Sequence, residues 1–340
     1  MTASLSPPGD LTVEQLGFLQ EALATSAALT AADRLGVLQR LSSEPADPAG
    51  LARDCAIDER GARLLLAALA GLGIVEAAGD GSYRATGPDL TGLTTMLDLW
   101  SRLPEVIRDS RPVIAADRPE GAAAIYPTVV PRLGTWFADA AELAAEHLSD
   151  THRSPARAPS GQDGRVPGLR VLDIGAGAAP WSLALARRDP DCRVTAVDFP
   201  AVLECTRRAV AASGCEKQVS YVGGDLFDVN FGRAAYDLAI AGNLCHLFDE
   251  IANRRLLRRL VDALRPGGTV AILDALPNER LDGPRSVVLY GLGLLWRTEG
   301  GRIYPFSTYA GWLRDTGYEA VERLDLGAVL PISLITARRP

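Results

Sequence analysis

The spacing of apolar residues changes character along the chain. Up to about residue 150 apolar positions recur at helical intervals, and from Leu169 onward short apolar runs alternate with amphipathic stretches. After a loose start over 1–10, Thr12 with Gln15 three residues on forms a capping-box signature. Val13, Leu16, Leu19 and Leu23 lie on one stripe of the helix it opens. A second helix is predicted over 31–41, ending before Pro45, and a third over 59–72 after the break at Ile57-Asp58. The chain then extends through Ile74-Val75, turns at Asp80-Gly81 and returns over 82–85. Helices, short turns and a hairpin in this order predict a winged helix over 1–90.

Further helices are expected at 93–100 and 136–147, with a Pro/Gly-rich passage around 119–131 between them. The polar, Pro- and Gly-containing segment 153–168 reads as a linker, so 91–165 forms a helical bridge and linker. Beyond it, strands are predicted at 170–174, 193–197, 219–222, 236–241 and 269–273. Helices are predicted at 181–188, 201–212 and 253–264. This alternation predicts a Rossmann-like, doubly wound α/β domain over 166–340. Such sheets bind ligands beyond the carboxyl ends of their strands, so candidate chemistry is sought there.

Composition narrows the partners. Of 340 residues 47% are apolar and 23% charged, which suits a packed globular protein rather than a disordered one. Acids outnumber bases 42 to 35, a net charge of −7 that argues against nucleic acid or an anionic membrane as partner. The second helix of the winged unit offers only Arg60 and Arg63, beside Glu59, before turning apolar from Leu64 to Leu72. Its wing, 76–82, carries two acids and no base. Pairing of two subunits therefore fits this unit better than reading DNA. The five cysteines contain no C-x-x-C pair, which points to reduced thiols in the cytoplasm and to no structural metal site. No secretory signal is visible, and the longest apolar run, Val287 to Trp296, is about half the length that spans a bilayer.

Five motifs sit at predicted strand ends. The first, 171–180, places Gly175 and Gly177 at a strand-to-helix turn, where a ligand can approach the backbone. Pro180 replaces the third glycine of the dinucleotide fingerprint, which argues against a nicotinamide nucleotide. Asp198 ends the next strand, where a carboxylate accepts both hydroxyls of a ribose or simply caps the turn before Pro200. In 222–227, Asp225 can accept a bond from an adenine amino group with Leu226 against the ring, or the Gly-Gly-Asp is a plain turn. In 243–249, His246 stands at the ligand edge of the fourth strand, where an imidazole can take a proton near neutral pH. Cys245 beside it reads as packing. The helix stop 264–268 feeds a strand ending at Asp274, which orients the imidazole, binds substrate, or is a solvated loop acid.

Taken in order, these motifs resemble the class I S-adenosylmethionine-dependent methyltransferases. More closely, the chain is similar to the small-molecule O-methyltransferases of plant phenolic and bacterial natural-product pathways that carry an N-terminal winged-helix dimerisation domain. The resemblance runs from about residue 12 to 338 and is most specific at 222–227, at Cys245-His246 and at 264–268. It implies S-adenosyl-L-methionine as cofactor, a small acceptor molecule and a homodimer. It also implies a cofactor set of Asp173, Gly175, Gly177, Asp198, Gly224, Asp225, Leu226 and Asn243. Within that set the glycine turn takes the methionine part, Asp198 the ribose, and Asp225 with Leu226 the adenine. His246 is the implied general base, with Asp274 as the second catalytic group. Plant-type members flank the histidine with two glutamates; here the first position holds the shorter Asp274 and the second falls near Ile303. A lysine common before the histidine motif is Gly242.

The leading expectation is O-methylation of a hydroxyl on a small aromatic compound. A base that generates a phenolate or enolate serves C-methylation equally well, and a relative repurposed for decarboxylation, hydroxylation or cyclisation keeps the same cofactor site. Tyr290, Trp296, Tyr304 and Trp312 either wall the acceptor pocket or form core.

Overall fold

The computed structural model describes residues 12–86, 93–152, 168–327 and 331–340. The loose start over 1–10 and all of the expected linker except Gly168 lie outside the described residues. The chain divides into two compact units, Met1–Ser101 and Arg102–Pro340.

The first unit holds α1 (Val13–Arg34), α2 (Val37–Ser43), α3 (Pro48–Asp54), α4 (Glu59–Gly71), the strands β1 (Val75–Ala77) and β2 (Tyr83–Ala85), and α5 (Leu93–Ser101). The capping box at Thr12 forms in both directions: Gln15 N donates to Thr12 Oγ1 at 3.1 Å, and Thr12 N donates to Gln15 Oε1 at 2.8 Å. The break expected before Ala31 falls later, at Leu35-Gly36. The alanine-rich stretch through Arg34 favours helix throughout, and Gly36 is the first residue that accepts the left-handed conformation (φ +71°) needed to turn. Asp47 and Asp58 cap α3 and α4. Leu51, Ala62, Leu66 and Leu69 form the centre of this unit's core, and β1 and β2 pair antiparallel as the expected wing.

The second unit opens with α6 (Leu103–Asp109), α7 (Pro119–Trp136) and α8 (Ala138–His152). The Pro/Gly-rich passage around 119–131 is therefore helical, which corrects the segment boundaries read from composition. Pro119 sits in the first turn, where its missing N–H costs nothing, while Pro127 and Pro131 lie inside the helix. Tertiary packing overrides them. Tyr126, Val130, Leu133 and Phe137, spaced four, three and four apart, make one face that lines a cleft.

The sheet follows: β3 (Arg170–Ile174), α9 (Pro180–Arg188), β4 (Arg193–Asp198), α10 (Pro200–Ser213), β5 (Val219–Gly223) and β6 (Tyr236–Gly242). A 3₁₀ turn (Cys245–Leu247), α11 (Glu250–Ala263), β7 (Leu264–Asp274), α12 (Arg285–Leu294), α13 (Phe306–Asp315), β8 (Glu319–Gly327) and β9 (Ile332–Arg338) complete it. The strand order is β5-β4-β3-β6-β7-β9-β8, with β3 to β7 parallel and β9 inserted antiparallel beside β7. The five strands β3 to β7 form the doubly wound sheet expected, and β8 and β9 extend it beyond β7. The apolar runs are buried on both faces, against α8 and α9 on one side and α11 and α13 on the other. Leu264 to Gly268 acts as a bulge rather than a separate turn: β6 pairs at Tyr236↔Leu264 and resumes at Leu238↔Thr269. Among the described residues no helix is long and apolar enough to cross a membrane.

Ile240 sits in the middle strand at 0% exposure. Ile240→Ala is expected to lower stability by about 3 kcal/mol, read from the urea midpoint at unchanged slope. A loss below about 1 kcal/mol would show that the neighbouring side chains close over the gap.

Candidate active site

The end of β3 is fastened to the end of β4. Gly175 N and Ala176 N both donate to Val197 O, at 2.8 and 3.2 Å, and Gly177 N donates to Asp198 Oδ2 at 2.9 Å. Thr206 Oγ1, from α10, donates to Gly177 O at 2.6 Å and holds the turn from the other side. Gly175 is required here twice over: its φ is +64°, and a Cβ would stand 2.6 Å from Leu244 Cδ1.

Beyond this turn opens a cleft with about 790 Å³ of empty space, open solvent included, lined by β-strand ends, the 3₁₀ turn and α7. Gly175, Gly177, Asp198, Gly224, Leu226 and Asn243 of the expected cofactor set line it. Asp173 and Asp225 do not. Asp173 lies beneath the floor, accepting a short hydrogen bond from Ser182 Oγ, and burial pushes its pKa up to about 7. Asp225 turns back on its own loop, where Oδ1 accepts from Phe227 N at 2.8 Å. Asp198 stays in the cleft. Burial raises its pKa to about 6, against the downward pull of the Gly177 and Phe199 amides.

Two polar groups on the opposite wall were not legible in the sequence. Asp117 Oδ1 and the Tyr126 hydroxyl are buried without a hydrogen-bond partner. A buried acceptor and a buried hydroxyl left unpaired cost free energy that a polar ligand can return. Together the cleft offers a glycine turn for backbone approach, a carboxylate for a diol, and unpaired polar atoms. It adds apolar walls from Phe199, Val202, Leu226 and Phe248. That set fits a nucleoside carrying an amino-acid tail.

The 3₁₀ turn borders the cleft through Leu244 and Leu247, while His246 turns to Asp274. Asp274 ends β7 and collects four donors. Oδ1 meets His246 Nδ1 at 2.7 Å and Ala275 N at 2.9 Å; Oδ2 accepts from His246 N at 3.1 Å and Tyr309 OH at 2.8 Å. The carboxylate can only accept, so the ring proton sits on Nδ1 and Nε2 presents its lone pair. The Tyr290 hydroxyl stands 2.6 Å from Nε2 and donates to it. Burial raises the pKa of Tyr290, against the pull of the Arg297 guanidinium, so the phenol keeps its proton. The aromatic residues divide accordingly. Trp296, Tyr304 and Trp312 are buried, and Tyr304 and Trp312 pack edge to face with Tyr309; Tyr290 alone of the four expected residues hydrogen-bonds His246. The second glutamate position, Ile303, is apolar, and the donor on the far side of Asp274 is Tyr309. Cys245 is packed in the core. Among the described residues no three potential metal ligands come together.

A doubly wound sheet of this order, a glycine turn tied to a strand-end carboxylate, and an imidazole held by a second strand-end acid fit an S-adenosylmethionine-dependent methyltransferase. Residues 166–319 match the family model of the O-methyltransferase domain. The chain is similar to 3-hydroxy-5-methyl-1-naphthoate 3-O-methyltransferase of Streptomyces sahachiroi, at 28% identity over 94% of this chain and 93% of the relative. It is also similar to the tetracenomycin polyketide synthesis 8-O-methyl transferase of Streptomyces glaucescens, at 25% identity over 98% and 97% of the two chains. In fold it is similar to human N-acetylserotonin methyltransferase crystallised with S-adenosylmethionine, with a TM-score of 0.72 at 21% identity over 98% and 99% of the chains.

Proposed function

We propose that the protein methylates a phenolic hydroxyl of a small aromatic natural-product intermediate, with His246 as general base and Asp274 as its positioning partner. The observation that carries this reading is the phenol already on the base. Tyr290 donates to Nε2 at 2.6 Å while Asp274 holds Nδ1 at 2.7 Å, the arrangement an acceptor phenol would need. The relatives named for a hydroxynaphthoate and for tetracenomycin synthesis support an aromatic acceptor.

When bound, S-adenosylmethionine supplies an activated methyl group on a sulfonium. Asp198 would accept the ribose hydroxyls, Leu226 would pack on the adenine, and Gly175 and Gly177 would admit the methionine part close to the backbone. Gly224 and Asn243 line the same site, and Asp225, turned back onto Phe227 N, holds the loop that carries Leu226. Asp173 acts from below by fixing the start of α9 through Ser182. The acceptor hydroxyl would take the place of the Tyr290 hydroxyl on Nε2 and give up its proton to that nitrogen. A phenol, with pKa near ~10, is a weak nucleophile at neutral pH, so this transfer is what the imidazole contributes. The apolar surroundings keep competing water away from the reacting oxygen.

The enzyme works as a homodimer in the cytoplasm. Val13 and Leu23 are 88% and 73% exposed on α1, with Leu16 and Leu19 on the same stripe, an apolar face that a second subunit would cover. All five cysteines are free thiols, as a reducing compartment allows.

His246→Ala is expected to cut turnover by ~100-fold or more while leaving the Kd for S-adenosylhomocysteine unchanged. Unchanged turnover with a methyl-labelled cofactor removes His246 as base, and NMR of the product distinguishes a methoxy from a C-methyl group. Because a protonated Asp198 loses acceptor capacity, cofactor affinity should hold at high pH and weaken as pH falls through about 6. By linkage the Kd at pH 5 should be about tenfold weaker than at pH 8, and this dependence should vanish in Asp198→Asn. Calorimetric titration checks both. Light scattering should give twice the chain mass, falling to one chain in the Leu16→Glu/Leu23→Glu double variant; a wild-type monomer ends the dimer assignment.

A further inference from the structure

Arg297, three residues beyond α12, carries a charge that no carboxylate among the described residues pairs, though it lies against the Tyr290 side chain. Its guanidinium carbon lies 4.4 Å from the centroid of the Tyr290 ring and 5.7 Å from that of Trp296. Nε and Nη2 are both shut off from solvent, and neither meets an acceptor. The acid nearest in sequence, Glu299, is taken by Arg118 at 2.7 Å. Asp117 points one oxygen at the Glu299 amide, at 3.2 Å. Arginine keeps its charge at any accessible pH, so two buried, unpaired N–H groups are a standing cost unless a ligand accepts from them.

The pair left open is informative. Nε and Nη2 form one edge of the guanidinium fork, with two parallel N–H bonds spaced for the two oxygens of a carboxylate. The location is informative as well. The guanidinium faces the ring whose hydroxyl occupies His246 Nε2, and its charge also reaches the hydroxyl of Tyr126 on the cleft wall. Arg297 itself does not line the cofactor cleft.

We propose that Arg297 is the anion-binding residue of the acceptor site, and that the acceptor is a hydroxyarene bearing a carboxylate. The carboxylate docks side-on to Nε and Nη2 while the ring hydroxyl reaches His246. This rests on the reading of His246 as base for a phenolic acceptor. The other source of a carboxylate is the methionine end of the cofactor, and the test separates the two.

The probes are 3-hydroxy-2-naphthoate and its neutral counterpart 2-naphthol, titrated calorimetrically into wild type, Arg297→Gln and Arg297→Lys saturated with S-adenosylhomocysteine. Wild type is expected to bind the carboxylate at least about tenfold tighter than the naphthol. Arg297→Gln should erase that preference with the naphthol Kd unchanged, and Arg297→Lys should restore part of it. Equal affinities in wild type, a preference that survives Arg297→Gln, or no binding of either probe overturns the proposal. So does a tenfold loss of S-adenosylhomocysteine affinity in Arg297→Gln, which would give Arg297 to the cofactor carboxylate. These are binding constants, so they stand apart from turnover by His246→Ala: a base elsewhere would spare turnover there and leave the carboxylate preference intact.

Discussion

Four elements meet on one carboxylate. Asp274, at the carboxyl end of β7, takes hydrogen bonds from the 3₁₀ turn after β6 twice, from the chain that follows β7, and from Tyr309 on α13. Through His246 it also fixes the hydrogen bond to Tyr290 on α12. A buried carboxylate is expensive to desolvate and becomes tolerable only when its lone pairs are filled. The four donors meet that requirement and in doing so set the position and tautomer of the imidazole. The helices that follow β7 are therefore held to His246 and Asp274 by polar bonds as well as by the apolar core beneath them.

The cleft beyond the strand ends is organised on the opposite principle. Its rigid part, from Gly175 to Gly177, is tied down by backbone amides on Val197 and Asp198 and by Thr206. Its other wall is a helix whose interior prolines make it a poor helix in isolation, held by the packing of Tyr126, Val130, Leu133 and Phe137. Along that wall and beyond it, Asp117, Tyr126 and Arg297 leave polar atoms buried and unpaired. At Asp274 and Gly177 the polar groups are satisfied within the fold, while Asp117 Oδ1, the Tyr126 hydroxyl and two nitrogens of Arg297 are left open.

The strands and their terminal residues were legible because a parallel sheet buried on both faces demands continuous apolar runs, and those runs end in plain view, β4 at Asp198, β5 at Gly223 and β7 at Asp274. The capping box at Thr12 was equally legible, being a purely local exchange of hydrogen bonds. α7 was not, since composition pointed to a loop and only the stripe 126, 130, 133, 137 pointed to a helix. Nor could periodicity separate an aromatic core from an aromatic wall. Tyr304 and Trp312 differ from Tyr290 in what they face, and facing is set by how α12 and α13 pack.

By itself, then, the amino-acid sequence determined the doubly wound sheet, the glycine turn, the strand-end acids and the histidine. Each of these follows from residues adjacent in the chain, where hydrophobic period and turn chemistry act directly. The tertiary structure decided which acids face the cleft and which lie beneath it, and how far burial raises the pKa of Asp198. It also decided that a tyrosine 44 residues away would sit on the imidazole of His246 with an arginine over its ring, two of whose nitrogens lack an acceptor. Those outcomes depend on desolvation and on contacts between elements far apart in sequence, which exist only once the chain has closed around them.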